Sequence, residues 1–490
     1  MPHLTLTDNN IINQPSLPSL LKDNLQSQIH AYEDLQTVSG KTLKELCTKE
    51  SSLLVFPDCL NTNNDRIEEL TILDLVGSPK YSQDNKIENV DNVKIKTGNL
   101  MGFIGFSGKQ NHGTQVEIRS RFTENVEKNK QDNFLHYMLE KVFNINLFNL
   151  NYTHSKNDGF DFIYLIFPHL LKKALKQGLL RKYQTYKKND SNVKGVIDIN
   201  RHIKYNTPFN GKVAYNSREY SSDNYITQLI RHTIEFIKQK NLGKNILSCD
   251  KETILAVKQI TEATQETYSI HSREKIIHKN LKTENHPYYY DYQPLQKLCM
   301  MILTHCKMQY SQSNSPVYGI LFDGAWLWEE YLTTILCDTK LGNKKFEHPE
   351  NRNGKGGIHL FKNRRVLRYP DFYRKNDSIV LDAKYKALSS ISKNDDDPFL
   401  EIKINFNRDD IHQLVTYMYI LKAEKGCFIF PDKYRNEYSD DTIRTLSTWL
   451  ELEGYGKKIN GFGLVIPSVN DYKLFKDKML EIENKLLENI

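Results

Sequence analysis

Apolar residues along this chain recur with two spacings, and the places where one gives way to the other mark out its elements. Between Lys41 and Phe122 the strand spacing prevails. Ser52-Leu-Leu-Val-Phe-Pro57 predicts a buried strand closed by proline, and Asn99–Phe106 with Thr114–Phe122 predicts a hairpin around Gly-Lys-Gln-Asn-His-Gly. The helical spacing then takes over. Phe134, Tyr137, Met138, Val142 and Phe143 give Asn133–Asn149 an apolar stripe, and Asp161–Gln177 predicts a second helix that Pro168 kinks or divides. A basic stretch, Arg181–Lys188, leads into an alternating strand at Val193–Ile199. Three helices are expected next: one capped by Ser222 or Asp223, one over Lys251–Thr267 and one over Gln293–Tyr310. The polar Ser311–Pro316 reads as a linker.

After the linker, helix and strand alternate. The order is a helix at Asp323–Leu336, a strand near Gly357–Phe361, strands at Arg365 and Val380, a helix between Asp409 and Gly426, and a strand at Gly426–Pro431. A strand at Gly461–Pro467 and a helix with the stripe Phe475, Met479, Ile482 and Leu486 close the chain. The fold class expected is α+β multidomain, with a β-rich and helical N-terminal half and a C-terminal α/β core. The expected division is a loosely ordered tail at 1–40, a β-rich and helical region at 41–285, and the core at 286–490.

Composition bounds what such a chain does. Its 490 residues exceed one ordinary core. Lys plus Arg is 67 and Asp plus Glu 60, a net +7 that permits nucleic-acid binding without the concentrated charge of a dedicated non-specific binder. Seven cysteines, an odd number with no Cys-x-x-Cys pair, argue against a disulfide framework or zinc finger and for a reducing compartment. Neither a membrane-length apolar run nor a signal-peptide pattern is present, so a soluble cytoplasmic protein is expected. Lys109 sits in a glycine cluster, yet Gln110 stands where a phosphate loop needs Ser or Thr. No other Walker-type sequence occurs, so any nucleotide hydrolysis must come from another polypeptide.

The chemistry concentrates in Arg368–Lys386, which reads as strand, tight turn and strand. Residues Lys375-Asn376-Asp377 form the turn. Alternation places Asp382 and Lys384 on one face at the exit of the second strand, and Asp371 on the first strand can sit beside them. Two carboxylates and an ammonium at one point suit a Mg2+ site that hydrolyses phosphodiesters, the carboxylates holding the cation and the lysine orienting or activating water. The plain alternative is a turn dipeptide with a surface ion pair. Downstream, Gln413 and Tyr417 lie four residues apart on a helix face with Asp410. They either border an ordinary amphipathic helix or project over the metal site to touch the DNA backbone or a catalytic side chain. Upstream, Glu329 and Glu330 sit among bulky apolar residues, each either facing solvent or serving as a third ligand.

The set Pro370-Asp371, Asp382-x-Lys384 and Gln413-x-x-x-Tyr417, preceded by a helical glutamate, resembles the PD-(D/E)xK nuclease superfamily in its RecB-like branch. Leu-Trp-Glu-Glu-Tyr and Asp-Ala-Lys-Tyr-Lys are similar to the McrC family, nuclease subunits of McrBC-type or LlaJI-like modification-dependent restriction systems. Gly105–Phe122, Val193–His202 and Ser221–Asn224 resemble that family's N-terminal half, so the likeness runs from about Thr97 to Pro467.

The resemblance implies a restriction-endonuclease-like core holding Mg2+ through Asp371, Asp382 and the Ala383 carbonyl, with Glu329 in support. Lys384 would act on the attacking water, Gln413 and Tyr417 would orient the backbone, and Lys386 would meet a phosphate. It also implies double-stranded DNA as substrate and a hexameric, McrB-like AAA+ GTPase ring as partner. That ring would be engaged by a finger placed here at about 180–220. The competing readings are an autonomous repair or recombination nuclease and a catalytically silent adaptor that stimulates a motor.

Overall fold

The computed structural model describes residues 2–10, 14–21, 25–47, 52–57, 69–82, 87–106, 113–123, 132–143, 162–240, 243–283, 286–305, 317–349, 356–362, 364–376, 378–392, 401–434, 442–445, 449–454 and 456–490. The Gly-Lys-Gln-Asn-His-Gly turn (apart from Gly113), the Ser311–Pro316 linker and the acidic Asn394–Pro398 stretch lie outside them. The chain forms two compact units, Met1–Phe148 with Asn314–Ile490, and Asn149–Ser313. This differs from the expected boundary between 285 and 286. The reason is a shared sheet, since Val317–Asp323 pairs with both Leu100–Phe106 and Ser52–Phe56.

That five-stranded sheet of the first unit runs His3–Thr7, Gln115–Arg119, Leu100–Phe106, Val317–Asp323, Ser52–Phe56. The hairpin of Leu100–Phe106 with Gln115–Arg119 is antiparallel, as its sequence predicts. Where the first forty residues are described, they carry more regular structure than expected. Leu4 and Leu6 are buried in the edge strand, and Leu25–Gln36 is a helix that buries Ala31, Tyr32 and Leu35. Apolar residues spaced thinly among Asn, Gln and Ser suffice here because the rest of the sheet already supplies a surface to pack on.

The second sheet carries the candidate chemistry. Its order is Phe372–Arg374, Ile379–Ala383, Lys425–Lys433, Lys458–Ile466, Ile443–Thr445, with Leu450–Glu451 also on Lys458–Ile466. The Gly324–Leu336 helix, capped by Asp323, is anchored to it by the fully buried Trp328, whose indole N–H donates to Ile429 O at 3.3 Å. The Arg408–Leu421 helix packs Leu414, Tyr417 and Met418 into a core with Val380, Phe428 and Phe430.

Its ends differ from the expected ones. Asn407 caps it, and Lys422 ends it with φ 55°. Gly426, expected as the stop, lies inside the next strand. A Cβ there would come within 2.4 Å of Met418 Sδ, so the glycine lets the helix approach the sheet. The Tyr472–Asn489 helix buries the expected stripe, Phe475, Met479, Ile482 and Leu486.

The second unit is mostly helical. Phe162–Lys176 continues through Pro168 without division, and Tyr225–Lys238 is capped by Asn224, where Ser222 or Asp223 was expected. From this helical body comes a long antiparallel ribbon, Lys182–Asp190 with Val213–Ser221. The strand expected over Val193–Ile199 is only Val196–Ile197. Asp198 caps a helix at Ile199–Asn206 by accepting from Arg201 N, which ends the strand. Arg201 Nη2 donates to Lys188 O and Tyr215 O at 2.8 and 3.2 Å, fastening that helix to the ribbon. At this end of the ribbon Val196, Ile199 and Phe209 are 77%, 67% and 69% exposed. No helix among the described residues is long and apolar enough to cross a membrane.

Candidate active site

The hairpin that carries the carboxylates is shorter than expected. Arg364–Arg368 pairs with Ile358–Phe361 in a separate two-stranded sheet. The first strand facing Asp382 is only Phe372–Arg374, because Pro370 has no N–H to extend the ladder. Asp371 therefore sits in a bend just before that strand. Its position is still fixed by register. Phe372 pairs with Leu381, so one step back sets Asp371 opposite Asp382. Ala383 N donates to Asp371 Oδ2 at 2.7 Å and locks this arrangement.

Lys384 completes the group from the same strand face. Its Nζ is 2.6 Å from Asp382 Oδ2 and 3.8 Å from Asp410 Oδ1. Gln413 Oε1 accepts from Lys384 Nζ at 3.4 Å, while Gln413 Nε2 donates to Tyr417 OH at 2.8 Å. Gln413 thus meets Lys384 directly, and Tyr417 meets Gln413. Lys386, expected at a phosphate, is paired here with Asp410. Asp410 thus joins Lys384 and Lys386. Its signal in the sequence was helical phase, since 410, 413 and 417 share a face.

Of the two glutamates, Glu330 accepts from the Trp326 indole N–H at 3.0 Å. Glu329 lies close enough to Asp371 for its charge to raise that carboxyl's pKa. His348 was not identified from the sequence. Its Nδ1 is 2.6 Å from Asp371 O, its Nε2 3.7 Å from Glu329 Oε1, and its ring stacks on Phe372. An isolated bridge between Glu347 and Tyr373 brings it there, and no spacing pattern announces such a bridge.

The electrostatics follow from crowding. Burial, then the Glu329 charge, lifts Asp371 from 3.8 to about 7. Burial, then Asp371, lifts Asp382 to about 8. For Lys384 burial works to lower the pKa, but Asp382 and Asp371 outweigh it and hold the ammonium above its usual range. Asp382 is fully buried, and its Oδ2 faces the Lys384 ammonium at 2.6 Å. Two buried carboxylates beside one ammonium crowd negative charge, which a further cation or a proton relieves. Among the described residues no group of three or more His, Cys, Asp or Glu is arranged to hold a metal ion. The two carboxylates of Asp371 and Asp382 nonetheless make a sparse oxygen set of the kind Mg2+ accepts, with water and substrate phosphate filling the rest. The donors present fit that ion.

A family model described as McrBC 5-methylcytosine restriction system component matches residues 95–431. No curated protein matches the chain. Among solved structures it is similar to a chain of the refined half-complex from a tetradecameric assembly of Thermococcus gammatolerans McrB AAA+ hexamers with bound McrC. That similarity has 14% identity and a TM-score of 0.48 and covers 98% of this chain and 100% of that one. It is also similar to a chain of the Thermococcus gammatolerans McrBC complex, at 13% identity and a TM-score of 0.30, covering 70% of this chain and 88% of that one.

Proposed function

The chain belongs to the family of McrBC 5-methylcytosine restriction system components, and on that premise we propose that it is the system's McrC-type nuclease subunit. In this reading it is a Mg2+-dependent DNA endonuclease with a PD-(D/E)xK core, activated by an AAA+ GTPase ring. The observation that carries the reading is the hairpin register that sets Asp371 against Asp382 with Lys384 on the same face and Glu329 alongside.

Asp371, Asp382 and the Ala383 carbonyl would hold Mg2+, with Glu329 in support. When bound, the ion supplies Lewis-acid polarisation of a phosphoryl oxygen and a more acidic water. Lys384 carries its proton at neutral pH, because the carboxylates hold its pKa up. That favours a role in which Nζ–H orients the attacking oxygen and stabilises charge on the phosphoryl group. Gln413, fixed by Tyr417, aligns Lys384 Nζ. Hydrolysis would leave a 3′-hydroxyl and a 5′-phosphate.

The ribbon at 182–221 is the proposed contact with the ring. Its exposed Val196, Ile199 and Phe209 form the kind of apolar group that marks a protein–protein site. Arg201 and Tyr215 stiffen it from within, Tyr215 OH donating to Asn192 O at 2.8 Å, so little ordering remains to be done on docking.

The test is cleavage of methylated and unmethylated plasmid by the purified chain with Mg2+, with and without GTP and the AAA+ partner. Cleavage that requires both GTP and the partner is the expected result. Cleavage by the chain alone would instead make it an autonomous nuclease.

A further inference from the structure

Lys384 lies one residue beyond the end of its strand, so its placement depends on how the following residue is held. That residue is Tyr385, and the early part of the same unit holds it. Arg121 Nη2 donates to Tyr385 O, and the guanidinium lies over the Tyr385 ring, Cζ 4.8 Å from the centroid. The Tyr385 hydroxyl meets Ser120 Oγ at 2.8 Å, and Phe122 packs edge-on with its centroid 5.1 Å away.

Arg121 is itself fixed from two sides. Its amide donates to Asp8 Oδ1 at 2.6 Å, and its Nη1 is 3.7 Å from Asp8 Oδ2. Its Nη2 also donates to Asn99 Oδ1 at 3.1 Å. Asn99 Nδ2 then donates to Asp323 Oδ1 at 3.2 Å, the same oxygen that caps the Glu329 helix by accepting from Ala325 N at 3.1 Å. Gly324 opens that helix directly against Tyr385, where a Cβ would come within 2.6 Å of Tyr385 Cε1. One run of contacts therefore links the residue after Lys384, through Arg121 and Asn99, to the start of the helix that carries Glu329.

We propose that Arg121 is a positioning residue for phosphodiester hydrolysis, holding the Lys384 end of the strand in register with the Glu329 helix. The inference rests on the reading of the site given above. Arg121 is mostly buried and reaches the site through Tyr385 and Asn99. Its planar fork donates to a carbonyl and an amide while stacking on a ring, and a lysine offers the charge to Asp8 without that fork. Displacing a catalytic group by about 1 Å can cost on the order of 100-fold in rate.

The experiment compares wild type, Arg121→Lys, Asn99→Ala and Lys384→Ala in the complex with the AAA+ partner, GTP and Mg2+. Arg121→Lys is expected to slow single-turnover cleavage about 100-fold, with DNA affinity, stimulation of the partner's GTPase and Tm little changed. Asn99→Ala is expected to act in the same direction. If Arg121→Lys fails to fold, Asn99→Ala decides by the same readouts, since it leaves Arg121 on Asp8.

An inactive Lys384→Ala beside a fully active Arg121→Lys would overturn the positioning role alone. A fully active Lys384→Ala would overturn the reading of the site and the positioning role with it. Cleavage that falls only in proportion to Tm and GTPase stimulation would make Arg121 a folding residue and also overturn the proposal.

Discussion

His348 Nε2 lies 3.7 Å from Glu329 Oε1, while its Nδ1–H donates to Asp371 O at 2.6 Å. One imidazole thus joins the helix half of the site to the hairpin half. Donation from Nδ1 leaves the other ring nitrogen facing a carboxylate. Outer partners of this kind typically govern activity by about 10–100-fold. His348→Gln is expected to fall in that range in single-turnover cleavage. Wild-type cleavage by this variant would reduce His348 to packing on Phe372.

The two adjacent glutamates should separate cleanly. Glu329 acts on Asp371 through its charge, and Glu330 is tied to Trp326. Glu329→Gln should lower cleavage at least about 10-fold, and Glu330→Gln should leave it near wild type. Equal losses in both variants would mean that the helix matters here and the individual carboxylate does not.

Lys384→Ala should slow cleavage by about 100- to 1,000-fold, as loss of a charge-stabilising donor does. Stimulation of the partner's GTPase should survive, since Lys384 is remote in sequence from the 182–221 ribbon. The two assays on one preparation check this. Loss of both functions would show that the site and the ribbon are not separable.

The carboxylate pair makes a signed prediction about pH. Asp371 and Asp382 titrate near 7 and 8 when folded, against 3.8 as the ordinary value. Across that window the folded protein holds more protons than the unfolded chain, so the pair's contribution to stability falls as pH rises. Asp382→Asn should therefore gain in Tm over metal-free wild type, and the gain should grow from pH 5 to pH 8. Mg2+ should raise the wild-type Tm more at pH 8 than at pH 5 and should do little to Asp382→Asn. Thermal scans with EDTA or Mg2+ read this directly. A Mg2+ effect that persists in Asp382→Asn would place the ion elsewhere.

Charge placed on the exposed end of the ribbon should cost the fold nothing and the partner contact much. Val196→Asp with Ile199→Asp removes apolar surface that is already in water. Tm should therefore stay put while partner affinity falls by at least about 10-fold, the equivalent of roughly 1.4 kcal/mol. Unchanged affinity would remove the ribbon from the interface.

The sequence by itself determined the local elements and the chemistry they carry. Strand alternation put Asp382 and Lys384 on one face, helical phase put Asp410, Gln413 and Tyr417 on another, and the Trp328 helix ran from Asp323 to Leu336 as its pattern predicts. These follow from neighbours a few residues apart, where period and capping act.

What tertiary structure decided lies at longer range. Glu329 was brought near Asp371, and Glu330 onto Trp326, by the rotation of a helix docked through Trp328. His348 arrived by an isolated bridge, and Asp371 by a register one step outside its strand. The N-terminal tail became an edge strand only because Gln115–Arg119 was there to pair with it, and Arg121 came to lie on Tyr385 across 264 residues of chain. Pairings of that separation leave no period in the sequence, since they are set by which surfaces remain to be buried once the local elements have formed.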